Sequence, residues 1–566
     1  MYEELKTAWN ELTAPGQMFE IKTIEVRGAP MQSYAVAPPS LREIWLSTAA
    51  HADREYLIYA DERITYAQAH EKVGSIANWL SGQGIVPGDR VAIAMRNYPE
   101  WMLAYWAVTS MGAVVVGMNA WWVPAEMHYA LTDSSPKVMI CDKERLAQFE
   151  KIRSDFPQLI VAAVRADETV SGQFTEWSEV LSSASAMPEL TIDPDDDACV
   201  FYTSGTTGKP KGAQLTHRGC VCNILNVAFA ATVQATALAK VSGKAPAAAD
   251  PKEVQSALLA TPLFHVTANN CVAQAITVVG GKLVHMYKWD STEALRLIEH
   301  EKITAFSAVP MMSRELISHP DFAKYDTSSM KTMGGGGAAL QPDLTAKLDK
   351  TMKNAAPSAG YGMTETCGII SALAGKFLVD RSSSVGRAMP TFEAKCVDEQ
   401  GNTRATGQVG ELWVRGACVI KGYLNRDDAT AESITDGWLH TGDVAYMDED
   451  EFIHLVDRAK DMVLRGGENV YCAEVENILF EHDCVAECVV FAVPDERLEE
   501  EVAAAIYLKP GTTIAIDELR AHCKGLLASY KVPRYMWLVS EPLPRNANGK
   551  FVKKDVRDAL DLADAQ

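Results

Sequence analysis

With 566 residues the chain is too long for one hydrophobic core, which stops growing at roughly 250 to 300 residues, so at least two domains are expected. A hydrophobic fraction of 48% without collagenous or low-complexity bias marks an ordinary globular protein. A formal charge of −21 excludes general nucleic-acid binding, which needs Lys and Arg gathered over a basic face, so any anionic ligand must be held by local positive charge.

Twelve cysteines are scattered with no CxxC pair, which excludes the usual zinc and redox motifs and points to a reduced, cytoplasmic protein. The start, Met1-Tyr-Glu-Glu-Leu-Lys, lacks the basic and apolar stretches of a signal peptide. Trp101 to Ala125 carries no charge and is long enough to span a bilayer. It divides at Gly112 into a helix-like stretch (Glu100 to Met111) and a β-branched run (Val114 to Val116), so a buried βα layer is predicted and no transmembrane segment.

From Leu57 onward, short strand-like runs (Val91 to Ala94, Val138 to Ile140, Leu159 to Ala163) alternate with helix-period stretches such as Tyr66 to Leu80, predicting α/β architecture with parallel strands. Ser182 to Pro188 reads as a loop. Ala230 to Asp250, rich in Ala with scattered Lys and Thr, reads as a mobile insertion. Near Arg458 the strand-like Phe452 to Val456 gives way to the charged Asp457 to Asp461 and then Gly466-Gly467, which suits a domain boundary. The remainder has its own strands (Cys488 to Val493, Glu501 to Leu508) and can fold as a small α/β unit.

Chemistry concentrates first in Thr203-Ser204-Gly205-Thr206-Thr207-Gly208-Lys209-Pro210-Lys211-Gly212, which follows the apolar run Cys199 to Tyr202. Three glycines, four hydroxyls and two lysines in ten residues can wrap phosphate oxygens with N–H groups and hydroxyls. The segment is not a Walker A loop, because GxxxxGK[ST] would need Gly at Thr203 and Ser or Thr at Pro210. A flexible surface loop is the bland alternative for any such stretch.

Further segments follow in order: Gly360-Tyr361-Gly362-Met363-Thr364-Glu365, Gly437 to Asp443, Asp457-Arg458 through Lys460 and Gly466-Gly467 to Tyr471, and Asn546 to Lys550. Together with the Thr203 loop, and with Asn97 to Glu100 upstream, they resemble the adenylate-forming superfamily of acyl- and aryl-CoA synthetases, nonribosomal adenylation domains and luciferases, with fatty acid–CoA ligases the nearest branch. The resemblance implies a large multi-sheet N-terminal adenylation domain (1–457), a hinge (458–461) and a small mobile α/β C-terminal domain (462–566). It implies that Thr203 to Gly208, Lys209 and Lys211 hold phosphate, and that Gly337, Ala338 and Gly360 to Met363 lie along the nucleotide. Thr364 would contact phosphate, Glu365 would hold Mg²⁺, Asp443 and Arg458 would hold the ribose, and Lys460 would be the pivot. Lys550 would serve adenylation, and Gly466-Gly467 would serve the thiol half-reaction.

ATP, Mg²⁺ and coenzyme A are thus the implied ligands, beside a carboxylic acid. The segments expected around the acid, Thr261 to His265, Val309 to Met312 and Gly334 to Ala339, contain no carboxylate, lysine or arginine. His265 stands where amino-acid-activating relatives carry an aspartate, so an amino-acid substrate is disfavoured. His265 itself reads either as a gate beside the acyl carboxylate or as a packed core histidine. The Met311-Met312 pair and the glycine run suggest an adaptable apolar pocket for a medium or long fatty acid; a cinnamate or benzoate fits the same description, and a carrier protein is the alternative acceptor. Two departures from the family pattern, Ala339 and Cys472 where proline is frequent, predict looser loops. A homodimer, the commonest closed oligomer, would be unsurprising.

Overall fold

The computed structural model of the protein describes every residue except 168–172, 204–208, 244–252, 338, 339, 341, 467, 547 and 548. The predicted α/β architecture is present, built on sheets that each bury one or both faces. In the first sheet, Asp197–Thr203, Val114–Gly117, Arg90–Ala94, Val138–Asp142, Ile160–Val164 and Thr175–Glu176 run parallel in that order. Lys211–Thr216 adds antiparallel to Asp197–Thr203 at one edge. In the second, Ala356–Met363, Thr332–Gly336, Ala305–Ala308, Ser256–Leu259, Lys282–His285 and Glu55–Tyr59 are parallel, closed by antiparallel Gly368–Ala374 and Glu62–Thr65 at the two edges. A third, antiparallel sheet contains Phe392–Val397, Gly410–Gly416, Trp438–Met447 and Phe452–Arg458. The fourth belongs to the small C-terminal unit and pairs Val485–Asp495 with Glu499–Leu508, flanked by Val463–Arg465 and, in parallel, Tyr535–Val539.

The uncharged stretch that could have passed for a membrane segment is core. Pro99–Ser110 is a helix started by proline at its first turn, and all of its residues are buried, because it packs with the helix Tyr66–Gly82. Thr65 and Gln68 cap that second helix reciprocally, each side chain bonding the other's backbone N–H. By length and composition one described helix, His217–Ser242, could cross a membrane, but more than half of its most apolar window is buried.

That helix corrects the expectation of a loop from Ala230 to Asp250. It runs unbroken to Ser242, starts on Thr216, whose side chain accepts from Gly219 N, and ends on Gly243 in the left-handed region at φ +65°. Alanine is the strongest helix former, so the composition that resembled a linker is helical propensity once one face finds a partner. The partner is the N-terminal helix Tyr2–Thr13: Trp9 meets Phe229 edge-on at 4.7 Å and Glu11 pairs with Lys240 at 2.8 Å. Residues 244–250 of the same expectation lie outside the described residues.

The glycine run also has a different cause from the one expected. Gly334, Gly335 and Gly336 lie in a strand of the second sheet, and a Cβ added there would stand 1.8 Å from Ser358 O, 1.5 Å from Ala308 O and 2.7 Å from Gly360 O respectively. They permit close backbone approach between neighbouring strands. Gly337 alone of the four lies beyond the strand, at φ +81°. Gly335→Ala is therefore expected to lower stability in denaturant unfolding by about 3 kcal/mol, the upper range for overpacking. A loss within about 0.5 kcal/mol would mean that the strands separate freely.

Candidate active site

Thr203 ends its strand, and its Oγ1 donates to Lys211 O at 3.4 Å, so the antiparallel pair closes the phosphate-loop segment at its base. Ser204, Gly205, Thr206, Thr207 and Gly208 lie outside the described residues, as do Ala338, Ala339 and Gly467. Both lysines of the segment stand over aromatic rings, Lys209 at 4.9 Å from Tyr129 and Lys211 at 4.3 Å from Tyr423, while the Tyr129 hydroxyl donates to Pro210 O at 3.0 Å. These contacts aim two flexible cations without neutralising them.

The strand Ala356–Met363 carries Gly360, Tyr361, Gly362 and Met363 to the edge where the second and third sheets meet. The Tyr361 hydroxyl donates to Asp443 Oδ2 at 2.7 Å, and Arg458 Nε lies 2.9 Å from Asp443 Oδ1. Asp443 and Arg458 face each other because their strands pair in that register. The buried carboxylate is thus held on both oxygens, and burial, with the Asp443 charge beside it, raises the Tyr361 phenol well above its ordinary value.

Thr364, Glu365 and Thr366 form a single 3₁₀ turn directly after that strand. Glu365 Oε1 accepts from the Tyr423 hydroxyl at 2.8 Å, and its main-chain oxygen accepts from Ile420 N at 3.0 Å. Tyr423, which sequence reasoning passed over, therefore touches both Glu365 and Lys211; an aromatic three residues past Gly416-Ala-Cys-Val-Ile420 carries no signal of its own. Among the described residues no group of three or more His, Cys, Asp or Glu could hold a metal. A lone carboxylate suits Mg²⁺, which keeps several waters and is carried mainly on phosphate oxygens.

Lys550 reaches this cluster from the C-terminal unit. Its loop is tied by Asn546 N to Lys550 O at 2.9 Å and Lys550 N to Asn546 Oδ1 at 3.1 Å, and Arg545 bridges Gly549 O to Glu487. A methyl on Gly337 would sit 3.9 Å from Lys550 Cε, and one on Gly549 would touch Val309 Cγ2 at 3.0 Å. Burial, reinforced by the charge of Arg458, pushes the Lys550 amine down to about 8, although Asp443 and Glu365 pull it the other way. Burial and Arg458 lower Lys460 too. Of the other basic residues near these motifs, Lys553 pairs with Glu476 at 3.1 Å and Arg465 pairs with Glu501, so neither is free to join the cluster. Gly466, at φ +58°, forms a reversal beside Leu498. Cys472 begins the helix Cys472–Glu481, and its thiol donates to Asp461 O at 2.9 Å, a tie to the 458–461 segment that proline could not make.

Asn97 pins the Thr261 to His265 segment, which the sequence assigned to the acid. Its amide donates to Leu259 O and Thr261 O at 3.1 and 2.8 Å and its oxygen accepts from Leu263 N at 3.0 Å. The His265 ring lies 4.6 Å from that of Phe264. The methionine pair divides: Met312 is buried in the core with Leu316 and Met333, whereas Met311 Cε lies 3.8 Å from where a Gly549 Cβ would be.

The Asp443–Arg458 pair, with Lys550 placed near it by the small C-terminal unit, lies on the fold of adenylate-forming enzymes. Accordingly, the chain belongs to the AMP-binding enzyme family: the family profile matches residues 45–424, and that of the AMP-binding enzyme C-terminal domain matches residues 474–550. It is 35% identical over 497 residues to a feruloyl-CoA synthase of an Amycolatopsis species (87% of this chain, 93% of that one) and 31% identical over 537 residues to a long-chain-fatty-acid–CoA ligase of Bacillus subtilis strain 168 (90% and 92%). Its fold is similar to that of the anthranilate CoA ligase AuaEII in complex with anthranoyl-AMP, at TM-score 0.81, 25% identity and coverage of 92% and 98%. ATP-bound MatB from Rhodopseudomonas palustris gives TM-score 0.79 at 26% identity, covering 91% and 98%. The activity is that of an AMP-forming CoA ligase, with ATP, a carboxylic acid and CoA as small-molecule substrates. Asn97→Ala, which removes the side-chain partner of Thr261 O and Leu263 N in the Thr261 to His265 segment, is expected to cost about 2 kcal/mol in denaturant unfolding. A loss under about 1 kcal/mol would show that the segment holds its own shape.

Proposed function

We propose that the enzyme activates a medium- or long-chain fatty acid as its acyl-adenylate and transfers the acyl group to CoA, with Lys550 serving the first step. The placement of Lys550 within electrostatic reach of Arg458, Asp443 and Glu365 carries this reading. In the first step an acid oxygen bonds the α-phosphorus of ATP, the bond from that phosphorus to the β-phosphate bridging oxygen breaks, and pyrophosphate leaves. Two anions must approach, so positive charge has to be in place beforehand; Lys550, Lys209 and Lys211 supply it. Glu365 would hold Mg²⁺, whose charge would offset that of the phosphates, and Thr364 would contact phosphate. Asp443, oriented by Arg458, would accept from the ribose hydroxyls, and Tyr361 would lie along the adenine beside Gly337 and Gly360 to Met363.

In the second step the CoA thiolate bonds the acyl carbon and AMP departs. An amine packed against Gly337 would obstruct that approach. We therefore assign residues 1–457 to an adenylating domain, 458–461 to a hinge with Lys460 as pivot, and 462–566 to a domain that turns to withdraw Lys550 and present the Gly466 reversal. The short passage from the strand Phe452–Arg458 to Val463–Arg465 supports a hinge there. His265, next to Phe264 on the segment held by Asn97, borders the acid. Likeness to a feruloyl-CoA synthase and an anthranilate CoA ligase favours an aryl acid as the second reading. All twelve cysteines are free, which supports a reducing, cytoplasmic setting.

Pyrophosphate release measured over acids of rising chain length and over aryl acids, with and without CoA, tests the assignment. Turnover peaking on an aliphatic chain of medium or greater length, with thioester formed, is expected; preference for cinnamates or benzoates selects the second reading. Lys550→Ala should lower adenylation on the order of 10²- to 10³-fold while thioester formation from supplied acyl-AMP persists. Equal loss of both steps would contradict the two-state hinge. Because Lys550 must be protonated to act and loses its proton through about pH 8, kcat/KM for ATP should decline as pH rises above about 8, and the thioester half-reaction should lack that limb.

A further inference from the structure

Behind the Glu365 turn lies a set of buried amides that the reaction itself does not use. Asn223, on the helix His217–Ser242, and Asn269, Asn270 and Gln274, on the π-helical segment Asn269–Ala273 and the turn after it, are all fully buried. Buried amides persist only where their bonds are made, so the partners report what the group holds. Asn270 Nδ2 donates to Cys367 O at 3.0 Å, two residues past Glu365. Its Oδ1 accepts from Asn269 Nδ2 at 2.8 Å and from Gln274 Nε2 at 3.3 Å, and its main-chain oxygen accepts from Asn223 Nδ2 at 3.0 Å. Asn223 Oδ1 in turn accepts from Ile369 N at 2.9 Å.

The segment gripped in this way is strained. Cys367 has φ +56° and Gly368 φ +148°, both unfavourable for an ordinary residue, and a Cβ on Gly368 would stand 2.1 Å from Asn223 Oδ1. Two asparagines thus hold the two sides of a reversal whose preceding turn carries Thr364 and Glu365. The same π-helical segment begins next to the His265 helix turn, where Asn269 N bonds His265 O at 3.0 Å. Local π geometry inserts a residue and re-aims side chains, which is how Asn269 and Asn270 can both face inward.

We propose that Asn270, with Asn223, is a positioning residue: it fixes the Cys367–Ile369 reversal so that Glu365 points to where the metal–ATP complex binds. This rests on the assignment of Glu365 to Mg²⁺ above. The test measures ATP binding by calorimetry across a Mg²⁺ titration and in chelator, for wild type, Asn270→Ala, Glu365→Gln and Gln274→Ala. Gln274 is equally buried in the same network, but its side chain hydrogen-bonds Tyr105 and Asn270 and not the reversal, so a merely structural loss would affect it alike. Asn270→Ala is expected to raise the half-saturating Mg²⁺ concentration about tenfold, leaving ATP binding in chelator and the Gln274→Ala curve near wild type. Should Asn270→Ala fail to fold, Asn223→Ala releases the other side of the reversal and carries the same expectation. A Mg²⁺ curve unmoved by Asn270→Ala, or moved no further than by Gln274→Ala, while Glu365→Gln does move it, overturns the positioning role. A curve unmoved by Glu365→Gln overturns the metal assignment itself.

Discussion

Placing Lys550 where the charges of Arg458, Asp443 and Glu365 act on it is the constraint on which the rest of the structure depends. A lone ammonium at that depth pays desolvation and like-charge repulsion from Arg458, and its proton is correspondingly loosened. The carboxylates of Asp443 and Glu365 offset part of that cost, but each is already engaged, with Tyr361 and Arg458 on one and Tyr423 on the other. The site is therefore short of negative charge around its lysine, which is the condition for taking up a polyphosphate.

The surrounding folds follow from holding those groups still. Parallel strands of the second sheet run so close that glycine is required at Gly334 and Gly335, and their ends deliver Gly337 and Tyr361 side by side. The antiparallel third sheet sets Asp443 opposite Arg458 by register alone. The fourth sheet belongs to the small C-terminal unit, which also carries Lys550. A net acidic protein thereby gathers Arg458, Lys460 and Lys550 in one place.

The family and the α/β fold were legible in the sequence because the segments that carry them are local. Thr203 to Gly212, Gly360 to Glu365 and Asn546 to Lys550 each point to the family within ten residues, and strand runs such as Val91 to Ala94 announce themselves by β-branching. What was not legible depends on distant partners. The Ala-rich stretch after Ala230 is helix with Tyr2–Thr13 covering one face, a contact more than two hundred residues away in sequence. The glycine run looked like free space and is close backbone contact, which no composition reveals. Tyr423, Asn97, Asn223 and Asn270 hold site segments through bonds that span 47 to 166 positions, beyond any motif window. Cys472 looked like a lost proline and instead supplies a thiol bond to Asp461 O.

The central claim is that one lysine is inserted for adenylation and withdrawn for thioester formation. Hydrogen exchange over the Arg545 to Lys553 segment, followed with a non-reactive acyl-adenylate analogue bound and then after addition of CoA, tests it most directly. The account predicts protection with the analogue alone and renewed exchange when CoA is added, with the core helix Pro99–Ser110 unchanged throughout. Equal protection in both states would contradict it.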